Sequence, residues 1–385
     1  MKPFRANLNF VHERRIASAG VVIGALVATV VVTAFVWSGV APRSRQTASI
    51  ANIPADTTPP QTLSPKAVRV APEPISEHAV SSVAHSRTPD TVRYYEQETG
   101  RAFQVDLRTL KTETLSDRKL PGFIQSFWVP NADAVVSLFD EAGSKKYRYY
   151  DYQTRTAKTI GSAVSTLAVS PSGRRIAFID TTGEYQALYI GDTDGTAVRK
   201  VFDTRAQHVA LSWPREDALV LTSRRPDRAG TDMSVIGLNG ELRVLMSNRE
   251  NLEYTWSPDG SNLLFSYFFP GRGITLWYRS LDSALEIPVP LATSAWKCAW
   301  HNSNEKITCG VPTTTLSRDV ASDKTATIDT IATIDLRSGK VSNLYTGSRE
   351  PLIGVINPSI SSSQRYFVFT NLFDRRLMEL ELPAY

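Results

Sequence analysis

The sequence predicts an all-β fold, a β-propeller with seven blades preferred and six possible. Two observations carry this: a tight-turn signature between apolar runs, and its return at a near-constant interval. The signature is Trp256-Ser257-Pro258-Asp259-Gly260. Pro presets one backbone dihedral and Gly supplies a positive one, so Pro-Asp-Gly marks a turn. Apolar runs flank it, Leu252 to Trp256 before and Leu263 to Tyr267 after, which makes the unit a β-hairpin. Degraded copies stand at Trp128-Val129-Pro130, Ser170-Pro171-Ser172-Gly173, Trp213-Pro214 and Trp300-His301-Asn302. Counted at positions 130, 171, 214, 258 and 302, the steps are 41, 43, 44 and 44 residues, the length of a propeller blade.

Taken from the N-terminus, residues 1–15 read as a short cytoplasmic segment and 16–40 as a membrane-spanning helix. Ile16 to Val40 carries no charge and is rich in Val, Ala and Ile. It is long enough to cross ~30 Å of hydrocarbon and longer than the ~7–15 apolar residues of a cleaved signal peptide. Trp37 near its end suits an interfacial aromatic. Lys2, Arg5, Arg14 and Arg15 precede the run and only Arg43 and Arg45 follow it closely, so the N-terminus is expected inside and the rest outside. The expected address is the bacterial cytoplasmic membrane, single-pass. Residues 41–90 are rich in Pro, Thr, Ser and Ala and hold few aromatics, which predicts a disordered tether that cannot bury enough apolar surface to order itself.

The propeller is expected over 91–385. Three short strands open it, Val92 to Glu96, Arg101 to Leu107 and Thr112 to Leu115. Four-stranded units follow, the first over about 123–128, 133–139, 145–152 and 156–160, the next over 164–169, 175–180, 185–190 and 197–202. Further units lie near 207–246, 252–289 and 294–345, the last lengthened by an insertion from Val311 to about Thr327. A degraded anchor at Ser361-Ser362-Ser363 and a strand at Leu377 to Leu382 end the series. Six anchors plus the three opening strands give seven blades. The alternative is six, with the N-terminal strands completing the last blade. Either closure joins the two ends of the chain and removes exposed sheet edges.

With Trp256 to Gly260 complete and Ser170 to Gly173 partial, the domain resembles the TolB-type, WD40-like propeller repeats over about residues 92–385. The resemblance implies the fold and leaves the activity open. TolB itself has an α/β domain before its propeller, where this chain has an anchor and tether. Related propellers cap prolyl-oligopeptidase-like peptidases, but no Gly-x-Ser-x-Gly nucleophile elbow occurs here.

Composition excludes several classes. Lys and Arg number 43 against 38 Asp and Glu, a net charge of +5. Nine basic and five acidic residues fall in 1–90, which leaves the folded part near neutral, unlike a nucleic-acid binder. The five histidines are scattered, and the two cysteines match no zinc spacing, so no metal or cofactor is expected. Asp192-Thr193-Asp194-Gly195 lacks the remaining ligands of a calcium loop and reads as a hairpin turn. Cys298 and Cys309 flank one hairpin about equally far from its centre, which places them as antiparallel neighbours within disulfide reach. Outside the cytoplasm a structural disulfide is favoured over two buried free thiols. The Trp residues at 128, 213, 256 and 300 share one place in the repeat, where they are expected to pack between blades rather than form a stacking platform.

One asymmetry points to function. The loops between second and third strands hold Lys145, Lys146, Arg224, Arg225, Arg228, Phe268, Phe269, Arg272 and Arg318, while the opposite turns are mainly Ser, Asp, Asn and Gly. The blander account is a set of solvated loop cations. The functional one is a basic, aromatic face that docks a protein or an anionic envelope component. No catalytic constellation is legible, so a recognition scaffold is expected rather than an enzyme. The alternatives are a hydrolase or lyase with a site at the central channel, and a carbohydrate-binding module with exposed Trp rings.

Overall fold

The computed structural model describes residues 71–206, 208–224, 230–314, 327–347 and 351–383. They form seven four-stranded antiparallel sheets. Blade 1 is β2 (Val80–His85), β3 (Thr91–Glu96), β4 (Ala102–Asp106) and β5 (Thr112–Ser116), and β1 (Glu73–Pro74) precedes it. Blade 2 is β6 (Phe123–Trp128), β7 (Ala134–Glu141), β8 (Ser144–Asp151) and β9 (Thr156–Ile160). Blade 3 is β10 (Val164–Val169), β11 (Arg175–Asp180), β12 (Gln186–Asp192) and β13 (Arg199–Thr204). Blade 4 is β14 (Ala210–Arg215), β15 (Ala218–Arg224), β16 (Gly230–Gly237) and β17 (Leu242–Glu250). Blade 5 is β18 (Glu253–Trp256), β19 (Asn262–Phe269), β20 (Gly273–Ser280) and β21 (Ile287–Pro288). Blade 6 is β22 (Cys298–Trp300), β23 (Lys306–Pro312), β24 (Asp329–Asp335) and β25 (Val341–Tyr345). Blade 7 is β26 (Val355–Ile360), β27 (Tyr366–Asn371) and β28 (Leu377–Glu381), completed on its outer edge by β1.

The protein is therefore a seven-bladed propeller, and its closure combines the two expected devices. The N-terminal strands make a blade of their own, and one strand before them also finishes the last blade. Glu73 and Pro74 pair with Glu379 and Met378. Ile75 N donates to Leu377 O at 2.8 Å, and Arg376 Nε to Ser76 O at 2.9 Å. Ile75, Val80, Tyr366, Val368 and Leu377 share one apolar cluster, so burial as well as backbone pairing holds the ring shut.

Ordered strands occupy Glu73–Pro74 and Val80–His85, inside the stretch assigned to the tether, so the propeller begins well before residue 91. Val80-Ser81-Ser82-Val83-Ala84-His85 is too polar to announce itself alone, and it folds because β3 and β6 supply its partners. The expected span 16–40 lies outside the described residues; among those described, no helix is long and apolar enough to cross a membrane.

The repeat signature has a structural cause. In blade 5, Ser257 N and Gly260 N donate to Asn262 O and Ser257 O, both at 2.8 Å. Ser261 N donates to Asp259 Oδ1 at 2.9 Å, fixing the turn from the side. Gly260 has φ +68°, and a Cβ there would fall 2.0 Å from Pro214 O at the end of β14 in blade 4. Gly173, at φ +73°, stands in the same relation to Pro130 O of blade 2. Glycine is required there twice over, by the backbone and by the neighbouring blade. In blades 6 and 7 the same left-handed corner is taken by Asn304 (φ 57°) and Gln364 (φ 63°).

The indoles lie between successive blades. Trp213 and Trp300 are buried and Trp128 and Trp256 half-buried. Trp128 Nε1 donates to Ser82 O at 2.7 Å, Trp256 Nε1 to Ser212 Oγ at 3.2 Å and Trp300 Nε1 to Thr255 O at 3.4 Å. Each bond reaches the first strand of the preceding blade. None of these four rings offers the exposed platform that a sugar module needs.

Candidate recognition face

Because every blade is antiparallel, loops joining second to third strands share one end of the ring with the crossings between blades. Lys145 is exposed at the start of β8 in blade 2, and Arg224 is exposed at the end of β15 in blade 4. Phe268 and Phe269 end β19 in blade 5, and Arg272 lies in the following turn. Topology thus puts them all on one face, at different blades. Arg225, Arg228 and Arg318 lie outside the described residues.

Local contacts separate these side chains. Lys146 is half-buried and donates to Ser162 O at 2.8 Å, bracing the crossing to blade 3. Phe269 is 39% exposed, with the Arg272 guanidinium 5.5 Å from its ring centroid.

Several exposed residues on this face are aromatic or aliphatic. Tyr185, 40% exposed in the second-to-third-strand loop of blade 3, carries the Arg205 guanidinium 4.7 Å over its ring. Arg205 Nη2 also donates to Tyr185 Oη at 3.0 Å. Phe373 occupies the matching loop of blade 7, Ile328 borders that of blade 6, Leu352 lies in the crossing to blade 7, and Ile124 follows the crossing to blade 2. Among the described residues, eleven large apolar side chains are exposed, and six of them lie at this end of the ring. The remaining five, Val198, Leu242, Val244, Leu285 and Val341, belong to outer strands or the opposite loops. What sets this end apart is the pairing of exposed aromatic rings with arginine, Tyr185 with Arg205 and Phe269 with Arg272, which is the composition of a docking surface.

Beneath the face lies a buried ion pair. Lys297 ends a 3-10 turn, Ala295–Lys297, on the crossing into blade 6, and Asp329 begins β24. Burial pushes the Lys297 ammonium below the usual lysine range, and Asp329 opposes the shift. The pair is closed off from solvent, so it braces the face and offers no reactive amine.

Cys298 and Cys309 are directly paired residues of β22 and β23, and the structure joins them as a disulfide with Cα atoms 4.0 Å apart. Among the described residues, no group of three or more His, Cys, Asp or Glu could hold a metal ion. One histidine–carboxylate contact lines a cavity of about 390 Å³ at the seam of blades 7 and 1, with His78 Nε2 3.7 Å from Glu96 Oε1. Burial pushes the Glu96 carboxyl up, but Thr99 and Arg101 hydrogen-bond its charged form and hold it below the usual range. Such a carboxylate is a weak proton acceptor.

No protein-family model matches the chain, and no curated protein does. Solved structures do match. An oligogalacturonate lyase from Vibrio parahaemolyticus is 11% identical over 82% of this chain and 93% of its own, with a TM-score of 0.59. The β-propeller domain of the Trilobed protease from Pyrococcus furiosus is 11% identical over 80% of this chain and 98% of its own, at 0.53. TolB from Acinetobacter baumannii is 13% identical over 79% of each chain at 0.43, too distant to weigh. Identities this low establish the propeller fold alone.

Proposed function

We propose that this chain is a recognition scaffold, a propeller tethered to the outer side of a bacterial cytoplasmic membrane that presents its basic, aromatic face to an acidic partner protein. The uncharged run from Ile16 to Val40 and the excess of Lys and Arg before it support the anchor and its orientation. The observation that carries the recognition reading is the pair of exposed rings capped by arginine at one end of the ring, Tyr185 under Arg205 and Phe269 under Arg272, with Arg224 and Lys145 exposed on neighbouring blades. Tyr, Phe and Arg are the residues enriched at interface cores, and loop cations raise the rate of encounter with an acidic surface.

The competing class is an enzyme. The His78–Glu96 contact is the observation on its side, and the hydrogen bonds on Glu96 count against it as a base. The test is replacement of Arg224, Phe269 and Arg272 by Ser in the full chain. Capture of envelope proteins should fall at unchanged melting temperature; unchanged capture discards the reading.

A further inference from the structure

A cleft opens at the seam between blades 1 and 2. Two adjoining cavities, of about 220 and 730 Å³, share Ser116, Arg118, Tyr150 and Tyr152 in their walls. The smaller is walled by the rings of Tyr95, Phe139, Tyr150 and Tyr152. Tyr95 Oη and Tyr152 Oη lie 2.7 Å apart, and Trp128 stacks on Tyr152 with ring centroids 5.8 Å apart. The aromatic wall is therefore fixed before any ligand arrives.

The charge in the cleft is one-sided. Among the described residues, Asp133 is the sole acidic one lining either cavity, and Arg93 Nη2 already holds it at 2.6 Å. Arg148 is 2.5 Å from Glu141. Arg87, Arg118, Lys119 and Arg155 are exposed along the cleft, and none is among the ion pairs formed by the described residues. Four cations beside fixed Tyr and Trp rings call for an anionic ligand with an apolar or planar part.

The backbone narrows the class further. β5 pairs with β4 alone among the described residues, and its Leu115 and Ser116 line the larger cavity. An open strand edge beside a groove offers main-chain hydrogen bonds that an extended peptide can use and a sugar chain cannot match in register. We propose that the cleft between blades 1 and 2 binds an extended acidic peptide segment laid along β5, its carboxylates on Arg118 and Lys119 and an alternate side chain against Tyr150 and Tyr152. This site stands apart from Arg224, Phe269 and Arg272 on blades 4 and 5, so the two can fail separately.

The test uses the full chain in detergent and a short fluorescent peptide of alternating Glu and Val, read by anisotropy. The peptide should bind saturably, and Arg118→Ser with Lys119→Ser should weaken it about ten-fold, the loss expected from two charged contacts. Arg224→Ser with Arg272→Ser should leave its affinity unchanged. Both cleft positions are exposed, so an unchanged melting temperature is expected and checks folding. The proposal is overturned if the Glu peptide does not bind, if its Lys counterpart binds equally, or if the cleft variant keeps wild-type affinity. It is also overturned if an oligomer of galacturonate competes as well as unlabelled peptide, which would make this an anionic sugar site.

Discussion

Lys297 Nζ lies 2.5 Å from Asp329 Oδ2, with the two side chains 1% and 0% exposed. The ammonium also donates to Val355 O at 3.3 Å, while the carboxylate accepts from Val355 N at 2.7 Å and Thr327 Oγ1 at 2.8 Å. One ion pair thus ties the crossing into blade 6, the third strand of that blade and the first strand of blade 7. Removing one partner strands a buried charge, at a cost of about 3–5 kcal/mol, whereas an apolar replacement of both is far milder. Lys297→Met should lower the unfolding free energy by that amount in urea titrations, and adding Asp329→Leu should recover most of it. A neutral Lys297→Met would refute the clamp.

The blade-to-blade contact at Gly260 makes a paired comparison. Gly260→Ala places a methyl 2.0 Å from Pro214 O on top of a strained φ of +68°. Gly271 has φ +80° with nothing within 4 Å of its would-be Cβ, so Gly271→Ala meets the backbone cost alone, about 1 kcal/mol. Thermal melts should show Gly260→Ala losing at least ~2 kcal/mol, clearly more than Gly271→Ala. Equal losses would remove the neighbouring blade from the explanation.

His301 predicts an acid limb. Burial, aided by Lys306, depresses its pKa from 6.5 to about 4. Its Nε2 shares a hydrogen bond with Thr308 Oγ1 at 2.8 Å, and Thr308 Oγ1 meets Thr333 Oγ1 at 2.7 Å. Between pH 6.5 and 4 the unfolded chain binds the extra proton, so the stability is fully present above 6.5 and is lost as pH falls toward 4. The loss is at most about 3 kcal/mol. His301→Asn should flatten that limb of the stability–pH curve. Asp194, held down to about 2 chiefly by its hydrogen bond from Lys158, titrates at lower pH and should leave a separate limb in place.

The disulfide closes a short loop, a sequence separation of 11 residues. Replacing Cys298 and Cys309 by Ala should cost about 2–3 kcal/mol in the unconstrained unfolded chain. Denaturation of the native chain with and without reductant checks it. Identical midpoints would show that the bond does not form in solution.

The blades are legible because their turns favour particular residues: Pro-Asp-Gly at 258–260 returns as Pro-Ser-Gly at 171–173, and Asn304 and Gln364 take the same left-handed corner in blades 6 and 7. The pairing of Cys298 with Cys309 followed from their symmetric spacing about one turn. The tether boundary misled because Val80–His85 is polar and alternates weakly, and takes its order from pairing with β3 and from contact with β6 across the seam. β1 is two residues long, and its partner lies some three hundred positions away, a pairing that no local pattern encodes. On the candidate face, arginines in loops could be read directly. Tyr185 and Phe373 were missed because exposure depends on the ring, although their place in second-to-third-strand loops was a usable signal.

The most direct measurement of the recognition face is position-resolved crosslinking in the membrane. A photoreactive phenylalanine analogue is placed at Phe269 and at Tyr185, and at Ser172 and Ser303 in turns of the opposite end. Crosslinks to a common protein partner from 269 and 185, with none from 172 and 303, are the expected result. Equal crosslinking from both ends, or crosslinks from 172 and 303 alone, would contradict the account.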